Sequence, residues 1–287
     1  MPDLDQQSAR EWIDRWDRQQ EVSLPDREDR FVALIDAVEA GAGRVDPVVL
    51  DIGCGPGSLA VRLKDRLPQA TIIGIDADPV TLALARAAHP DLRVVDMDLR
   101  VAGWPARLGL DRPVDVAVST TALHWLPEPQ LRAFYAELAS ALKPGGLLLN
   151  GDHFKVDAKQ TPVLARLDTA LREREDARRF PAGHQESWTG WWEAVAADPA
   201  LAGYSAERDR RRVDAGHHGT ESTQLQTHVD ALKAAGFAEI GTLWQRGDNR
   251  VLCAVMPEAG PFDLRPSARV GDVDHADHQP DQYDQRR

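Results

Sequence analysis

Between Val48 and Ser58 the chain reads VVLDIGCGPGS, a short apolar run that ends in an Asp-containing turn with glycine at every second position. The segment that follows, SLAVRLKDRL, places Leu59, Leu63 and Leu67 at i, i+4 and i+8, the spacing of one helix face. A buried strand that turns through bare backbone directly into a helix predicts the first unit of a parallel, helix-covered sheet. Ligands of such sheets bind beyond the carboxyl ends of the strands. The turn after Ile52 is therefore where a binding site is expected.

The same rhythm continues downstream. TIIGID (71–76) precedes ADPVTLALARAA, where Asp78 suits a helix cap and Pro79 the first helical position. LRVVDM (92–97) and VDVAVS (114–119) read as two further strands. PQLRAFYAELASALKPGG is a helix with Leu131, Phe134, Leu138 and Leu142 on one face, ended by KPGG, and LLLN (147–150) is a fifth strand. The alternation then lapses for some seventy residues and resumes with the helix TQLQTHVDALKAAG. AEIGTLW and NRVLCAV, joined by the polar link QRGD, predict a terminal antiparallel hairpin. The expected architecture is α/β: a doubly wound, seven-stranded, mostly parallel sheet with an inserted helical lid. The expected boundaries are an N-terminal helical cap over 1–40, a core over 41–151, the lid over 152–222, the rest of the core over 223–257 and an unstructured tail over 258–287.

Composition removes several function classes. Two cysteines, Cys54 and Cys253, lie far apart in no ligand spacing, so neither a disulfide framework nor a metal site is expected. A formal charge of −12, with no basic stripe interleaved with aromatics, disfavours nucleic acid as a partner. The polar, acidic start MPDLDQQSAREW and the lack of a long apolar run predict no membrane span and a cytoplasmic location. Monomer and homodimer both remain open.

The glycine spacing then separates two ligand classes. A dinucleotide loop follows G-x-G-x-x-G/A, and counting from Gly53 puts Ser58 at the last position. The sequence instead follows D-x-G-x-G-x-G through Asp51, Gly53, Gly55 and Gly57. With Asp76 closing GIDADP, the acidic VVDMDLR and LKPGG before a fifth strand, residues 48–148 resemble the class I S-adenosylmethionine-dependent methyltransferases of the small-molecule type. That resemblance implies a Rossmann-like methyltransferase fold with S-adenosyl-L-methionine as cofactor. It implies that Asp51 supports the loop and the ligand ammonium, that Gly53, Cys54, Gly55 and Gly57 line the cofactor with backbone N–H donors, and that Asp76 with Ala77 takes both ribose hydroxyls. A carboxylate of VVDMDLR is expected at the adenine. Asp96 and Asp98 alternate on one face and both remain open, with Asp98 and Leu99 preferred as nearer the strand's end. Ser119, closing the fourth strand, completes the expected cofactor set.

The acceptor is expected past that strand, at STTALHWLPEP. His124 and Trp125 are the candidates there; a similar LHWL occurs in several carboxyl methyltransferases, including the trans-aconitate type. A carboxylate acceptor is already ionised and needs no base, whereas a hydroxyl acceptor does. Candidate bases are His124 and His153, with His217 and His218 in the polar DAGHHGTES as weaker ones. In ESWTGWWEAVAADPAL, Trp188, Trp191 and Trp192 share one helix face and suit either an acceptor wall or the lid's own core. Trp12 and Trp16, at i and i+4, predict a leading helix over the cofactor mouth from which Arg27 or Arg30 reaches an acidic group. The expected activity is direct methyl transfer to a small-molecule oxygen; an inactive cofactor- or partner-binding protein of the same fold and an NAD(P)-dependent oxidoreductase are the rivals.

Overall fold

Val48–Ile52 is buried on both faces along its whole length, as a central parallel strand requires. In the computed structural model, which describes residues 4–24, 26–179, 186–214 and 224–259, it is β1. The other strands are β2 (Thr71–Asp76), β3 (Arg93–Asp96), β4 (Val114–Thr120), β5 (Leu142–His153), β6 (Glu239–Arg246) and β7 (Asn249–Val255). They form one sheet in the order β3-β2-β1-β4-β5-β7-β6. β1 pairs in parallel with β2 and β4, β2 with β3 and β4 with β5; β7 runs antiparallel to β5 and β6. The order reverses between β1 and β4, and it is there that the strand ends part to leave a crevice. His217, His218 and the tail from residue 260 lie outside the described residues.

The helices are α1 (Gln6–Ser23), α2 (Arg27–Gly41), α3 (Ser58–Arg66), α4 (Pro79–Ala88), α5 (Trp104–Arg107), α6 (Glu128–Ala141), α7 (Pro162–Arg179), α8 (Trp188–Ala197), α9 (Ala202–Asp214) and α10 (Leu225–Ala234), with a 3-10 turn at Leu123–Trp125. Alternate strand residues serve opposite layers. Leu50, Ile52, Ile73 and Ile75 pack with Trp104, Phe134, Tyr135 and Leu138. Val49, Val116 and Val118 pack with Phe31, Leu34, Leu59 and Leu63 on the other face. A third cluster joins α1, α4 and the inserted helices through Trp12, Ile13, Val80, Leu84, Trp191, Val195 and Leu201. Each such side chain, taken wholly from water, contributes about 2 kcal/mol, so the inserted helices are fastened to the sheet layer by burial.

Local signals are realised as read at α4, where the Asp78 carboxylate accepts from the Val80 and Thr81 N–H groups and Pro79 stands at the first turn. The reading of KPGG as a helix stop is only half realised. α6 ends at Ala141, but residues 142–146 already belong to β5, with Val114 opposite Leu142 and a register shift before Val116 meets Leu147. β5 also runs three residues past Asn150, carrying Asp152 and His153 beyond the end of its neighbour β4. No described helix is long and apolar enough to cross a membrane.

Candidate active site

Above the crevice at β1 and β4 lies a cavity of about 690 Å³ bounded by the glycine turn, the β2, β3 and β4 termini, α1, α2 and the inserted helices. Gly53 and Gly55 line it, and each has a positive φ, +68° and +54°. A Cβ on Gly53 would sit 2.2 Å from the Ala122 Cβ, whereas one on Gly55 would meet nothing closer than Trp16, at 3.9 Å. Gly53 is needed by the protein's own packing, while Gly55 keeps the cavity clear.

The turn's N–H groups are spent internally, which corrects the expectation that they face a ligand. Gly53 and Cys54 donate to the Ile75 carbonyl at 2.7 and 3.0 Å, Gly57 to the Cys54 carbonyl at 2.9 Å, and Gly55 to Asp76 Oδ2 at 2.7 Å. Asp76 Oδ1 accepts from Ala77 and Asp78 N–H at 2.7 and 2.8 Å. With three of a carboxylate's roughly four lone-pair sites used, Asp76 keeps one acceptor position on the wall rather than two. Burial, then the neighbouring Asp78 charge, pushes its carboxyl up to about 6.

Three further expected cofactor residues stand behind the wall. Ser119 is buried and its hydroxyl donates to the Ile52 carbonyl at 3.0 Å, pinning β4 to β1. Gly57, φ +91°, begins α3 and abuts Leu92, where a Cβ would come within 3.0 Å. Asp51 is buried, and burial, then Asp76, pushes it up to about 7 against the lowering effect of the Ala60 backbone N–H. Asp98 and Leu99 do line the cavity, with Ala77 and Cys54; Asp96 points instead to Arg211, at 2.8 Å. Asp98 is held by Arg100: burial raises its carboxyl, and the hydrogen bonds and charge of Arg100 outweigh that and leave it below the ordinary range.

At the far end His124 faces the same space on the 3-10 turn, its ring 4.9 Å from that of Trp125. Its Nδ1 lies 2.9 Å from both oxygens of Asp152, which is buried at the β5 terminus. Burial raises the Asp152 carboxyl, but the His124 hydrogen bond and charge and the Arg30 charge outweigh it, leaving it below the usual range. An ionised carboxylate only accepts, so Nδ1 donates and Nε2 is the nitrogen left to the cavity. The pairing of Asp152 with His124 was missed in the sequence because 28 residues separate the two. His153 repeats the arrangement, Nδ1 to Asp248 Oδ1 at 2.9 Å.

Trp188 and Trp192 line the wall, but Trp191 does not: it is fully buried between Trp12, Trp16 and Trp192, so of the three expected wall tryptophans it belongs to the core. Trp16 reaches the cavity and Trp12 stays behind it. Arg27 also lines the cavity. Its NH2 donates to Asp17 at 2.8 Å, while the buried NH1 makes no hydrogen bond, its nearest carboxylate being Glu28 at 3.7 Å. Arg30 lies outside the wall. Thr121, beside Gly53, takes a φ of +50°, a backbone strain of about 1–3 kcal/mol stored at the cavity edge. Among the described residues no group of three or more His, Cys, Asp or Glu side chains suits a metal ion.

Residues 49–146 match the family described as a methyltransferase domain. Trans-aconitate 2-methyltransferase from Azoarcus sp. (strain BH72) is 34% identical over 137 residues, 46% of this chain and 49% of that one. The protein of the same name from Escherichia coli (strain 55989 / EAEC) is 37% identical over 100 residues, 35% of this chain and 36% of that one. The chain thus spans about half or less of the length of the curated relatives it matches. Among solved structures, magnesium protoporphyrin IX methyltransferase from Synechocystis PCC 6803 with bound SAH covers 85% of this chain and 94% of its own at 17% identity and a TM-score of 0.49.

Proposed function

We propose that the chain, whose residues 49–146 match a methyltransferase domain, is a class I S-adenosylmethionine-dependent methyltransferase that methylates a small, negatively charged acceptor at oxygen. The cavity suits that cofactor on its own observations. Gly55 leaves bare backbone where a side chain would fill the space, Asp76 keeps a free acceptor position for a ribose hydroxyl, and Asp98 with Leu99 offers a carboxylate and an apolar edge to an adenine. Asp51, buried behind the turn with its carboxyl raised to about 7, would ionise in favour of an ammonium group bound nearby. When bound, the cofactor supplies an electrophilic sulfonium methyl group.

The protein's own task is then to hold the acceptor oxygen in line and to exclude water. The observation that carries the acceptor class is Arg27: a buried guanidinium on the wall, paired with Asp17 at 2.8 Å and 3.7 Å from Glu28, with an NH1 that makes no hydrogen bond. Leaving such a donor without a hydrogen bond costs on the order of 1–3 kcal/mol, which an acceptor carboxylate would offset by a charge-assisted bond. Lys155 at the exposed rim adds positive charge. The relatives named for trans-aconitate, an acid, support a carboxyl oxygen as the atom methylated. Trp188 and Trp192 then wall the apolar part of the acceptor, and helices α7 to α9 serve as its lid.

A second reading is favoured by the His124–Asp152 pair. A neutral His124 with Nδ1 engaged presents a proton acceptor, which a hydroxyl on an anionic molecule needs and a carboxylate does not. Methyl-labelled cofactor offered with small carboxylic acids, trans-aconitate among them, separates the two. The proposal predicts labelled product released as methanol by mild alkali, the mark of an ester. Label retained through alkali indicates an ether and the second reading; absence of transfer to any anionic acceptor, with the cofactor bound, would overturn both and leave an inactive binding protein.

A further inference from the structure

Leu201, just before α9, and Tyr204, Arg208 and Arg211 on it recur at i, i+3, i+7 and i+10, one helical face that changes from apolar to basic. The apolar half packs in the cluster of Val80 and Leu84 on α4, with Leu201 wholly buried. The basic half reaches the cavity wall where β2 and β3 end. Arg208 Nε donates to Asp78 Oδ2 at 2.5 Å, and its guanidinium carbon lies 3.5 Å from the centroid of the Trp192 ring. Arg211 donates from Nη1 to the Ala77 carbonyl at 2.9 Å and to Asp96 Oδ1 at 2.8 Å, and from Nη2 to Asp96 Oδ2 at 2.9 Å. Its Nε donates to Glu207, one turn back on α9, at 3.0 Å.

Ala77 and Asp78 are the residues whose N–H groups donate to Asp76 Oδ1, at 2.7 and 2.8 Å. The two arginines therefore grip the short link after β2 that sets the Asp76 carboxylate. From the other side α4 holds the same link, through the Val80 and Thr81 N–H groups on Asp78 Oδ1, and Arg208 takes the remaining oxygen. Partly exposed ion pairs add little to stability on their own. Placed on two adjacent residues beside a carboxylate with a free acceptor position on the wall, they fix its direction instead.

We infer that Arg208 and Arg211 are positioning residues for the methyl donor: by gripping Ala77 and Asp78 they keep the free acceptor position of Asp76 turned toward a ribose hydroxyl, so that the inserted α9 serves the donor as well as the acceptor. That role rests on the methyl-donor reading of the cavity, and the two fail differently. A wild type that does not bind S-adenosylhomocysteine ends both, whereas variants that match a binding wild type end the role alone.

The test is calorimetric titration of the wild type, Arg208→Met, Arg211→Met and Asp96→Asn with S-adenosylhomocysteine and with its analogue lacking both ribose hydroxyls. Methionine keeps much of the apolar arginine stem. Asp96→Asn, at an exposed carboxylate, loosens Arg211 with α9 unaltered, so a variant that fails to fold leaves others to decide the matter. The wild type is expected to bind S-adenosylhomocysteine at least about tenfold tighter than the analogue. Each arginine variant should weaken S-adenosylhomocysteine about five- to tenfold and Asp96→Asn about two- to threefold, while affinity for the analogue stays within about twofold in all three. Equal losses for both ligands would show that α9 merely covers the donor and would overturn the positioning role. So would unchanged S-adenosylhomocysteine affinity in either folded arginine variant, or a wild type indifferent to the two hydroxyls.

Discussion

The two ends of the cavity are built by different means. The end at Gly53, Gly55, Asp76 and Asp98 is made of backbone at successive strand termini, with side chains and carbonyls joined to near sequence neighbours or to the adjacent strand. The end at Arg27, His124, Asp152 and Trp188 is made of side chains carried by α1, α2, the 3-10 turn, β5 and α8, which meet only when the whole chain has folded. The first is a property of the sheet's topology and tolerates one ligand chemistry; the second is a property of particular side chains and sets which acceptor enters.

The largest expected effect separates the two glycines. Gly53→Val should abolish S-adenosylhomocysteine binding in calorimetry and lower the melting temperature, because its Cβ collides with Ala122. Gly55→Val has open space before it but a positive φ, so it should weaken binding at least about 100-fold, roughly 2.7 kcal/mol, and lower the melting temperature less than Gly53→Val does. Equal binding in Gly55→Val and wild type would break the division, since the bare backbone would then serve only the turn.

On the other side, Arg27→Met should raise the acceptor KM about 10- to 100-fold, the worth of a charge-assisted hydrogen bond, and leave the methyl-donor affinity within about twofold. A change in donor affinity of the same size would mean that Arg27 belongs to the other end. Asp152→Asn should lower kcat about tenfold, again with donor affinity unchanged; a loss nearer 1,000-fold would favour removal of a hydroxyl proton.

The smallest effect concerns pH. Asp51 and Asp76 have folded values of about 7 and about 6, above the ordinary carboxylate range. Between about pH 4 and pH 7 the folded protein therefore holds more protons than the unfolded chain, and their contribution to stability falls as pH rises through that window. Asp51→Asn should lessen the fall measured by thermal unfolding of the cofactor-free protein. Bound S-adenosylhomocysteine should lessen it too if its ammonium senses Asp51; an identical slope in all three samples would leave Asp51 without that part.

The same contrast explains what could be read in the chain. The succession of strands and helices and the glycine turn follow from local patterns: apolar runs at 48–52 and 71–76, the Asp78–Pro79 helix start and the hairpin at the end are each contained in a few neighbouring residues. Trp191 was ambiguous because one helical face of tryptophans serves a wall or a core equally, and only packing against Trp12 and Trp16 decides it. Ser119 fitted a strand's end but faces the Ile52 carbonyl, an orientation that residue order alone leaves open. Asp152 was not legible as the partner of His124 because their meeting depends on β5 running past the end of β4. Hydrogen-bond saturation of the turn was likewise invisible, although the glycines that permit it were plain.

The most direct measurement is a crystal structure of the complex with S-adenosylhomocysteine. The division of the cavity predicts the adenine beside Asp98 and Leu99, the ribose at Asp76, the sulfur toward the span from Thr120 to Trp125, and the space before Arg27 and His124 still open. An adenosyl group lodged against Arg27 and His124 instead, with Asp76 and Asp98 untouched, would contradict it.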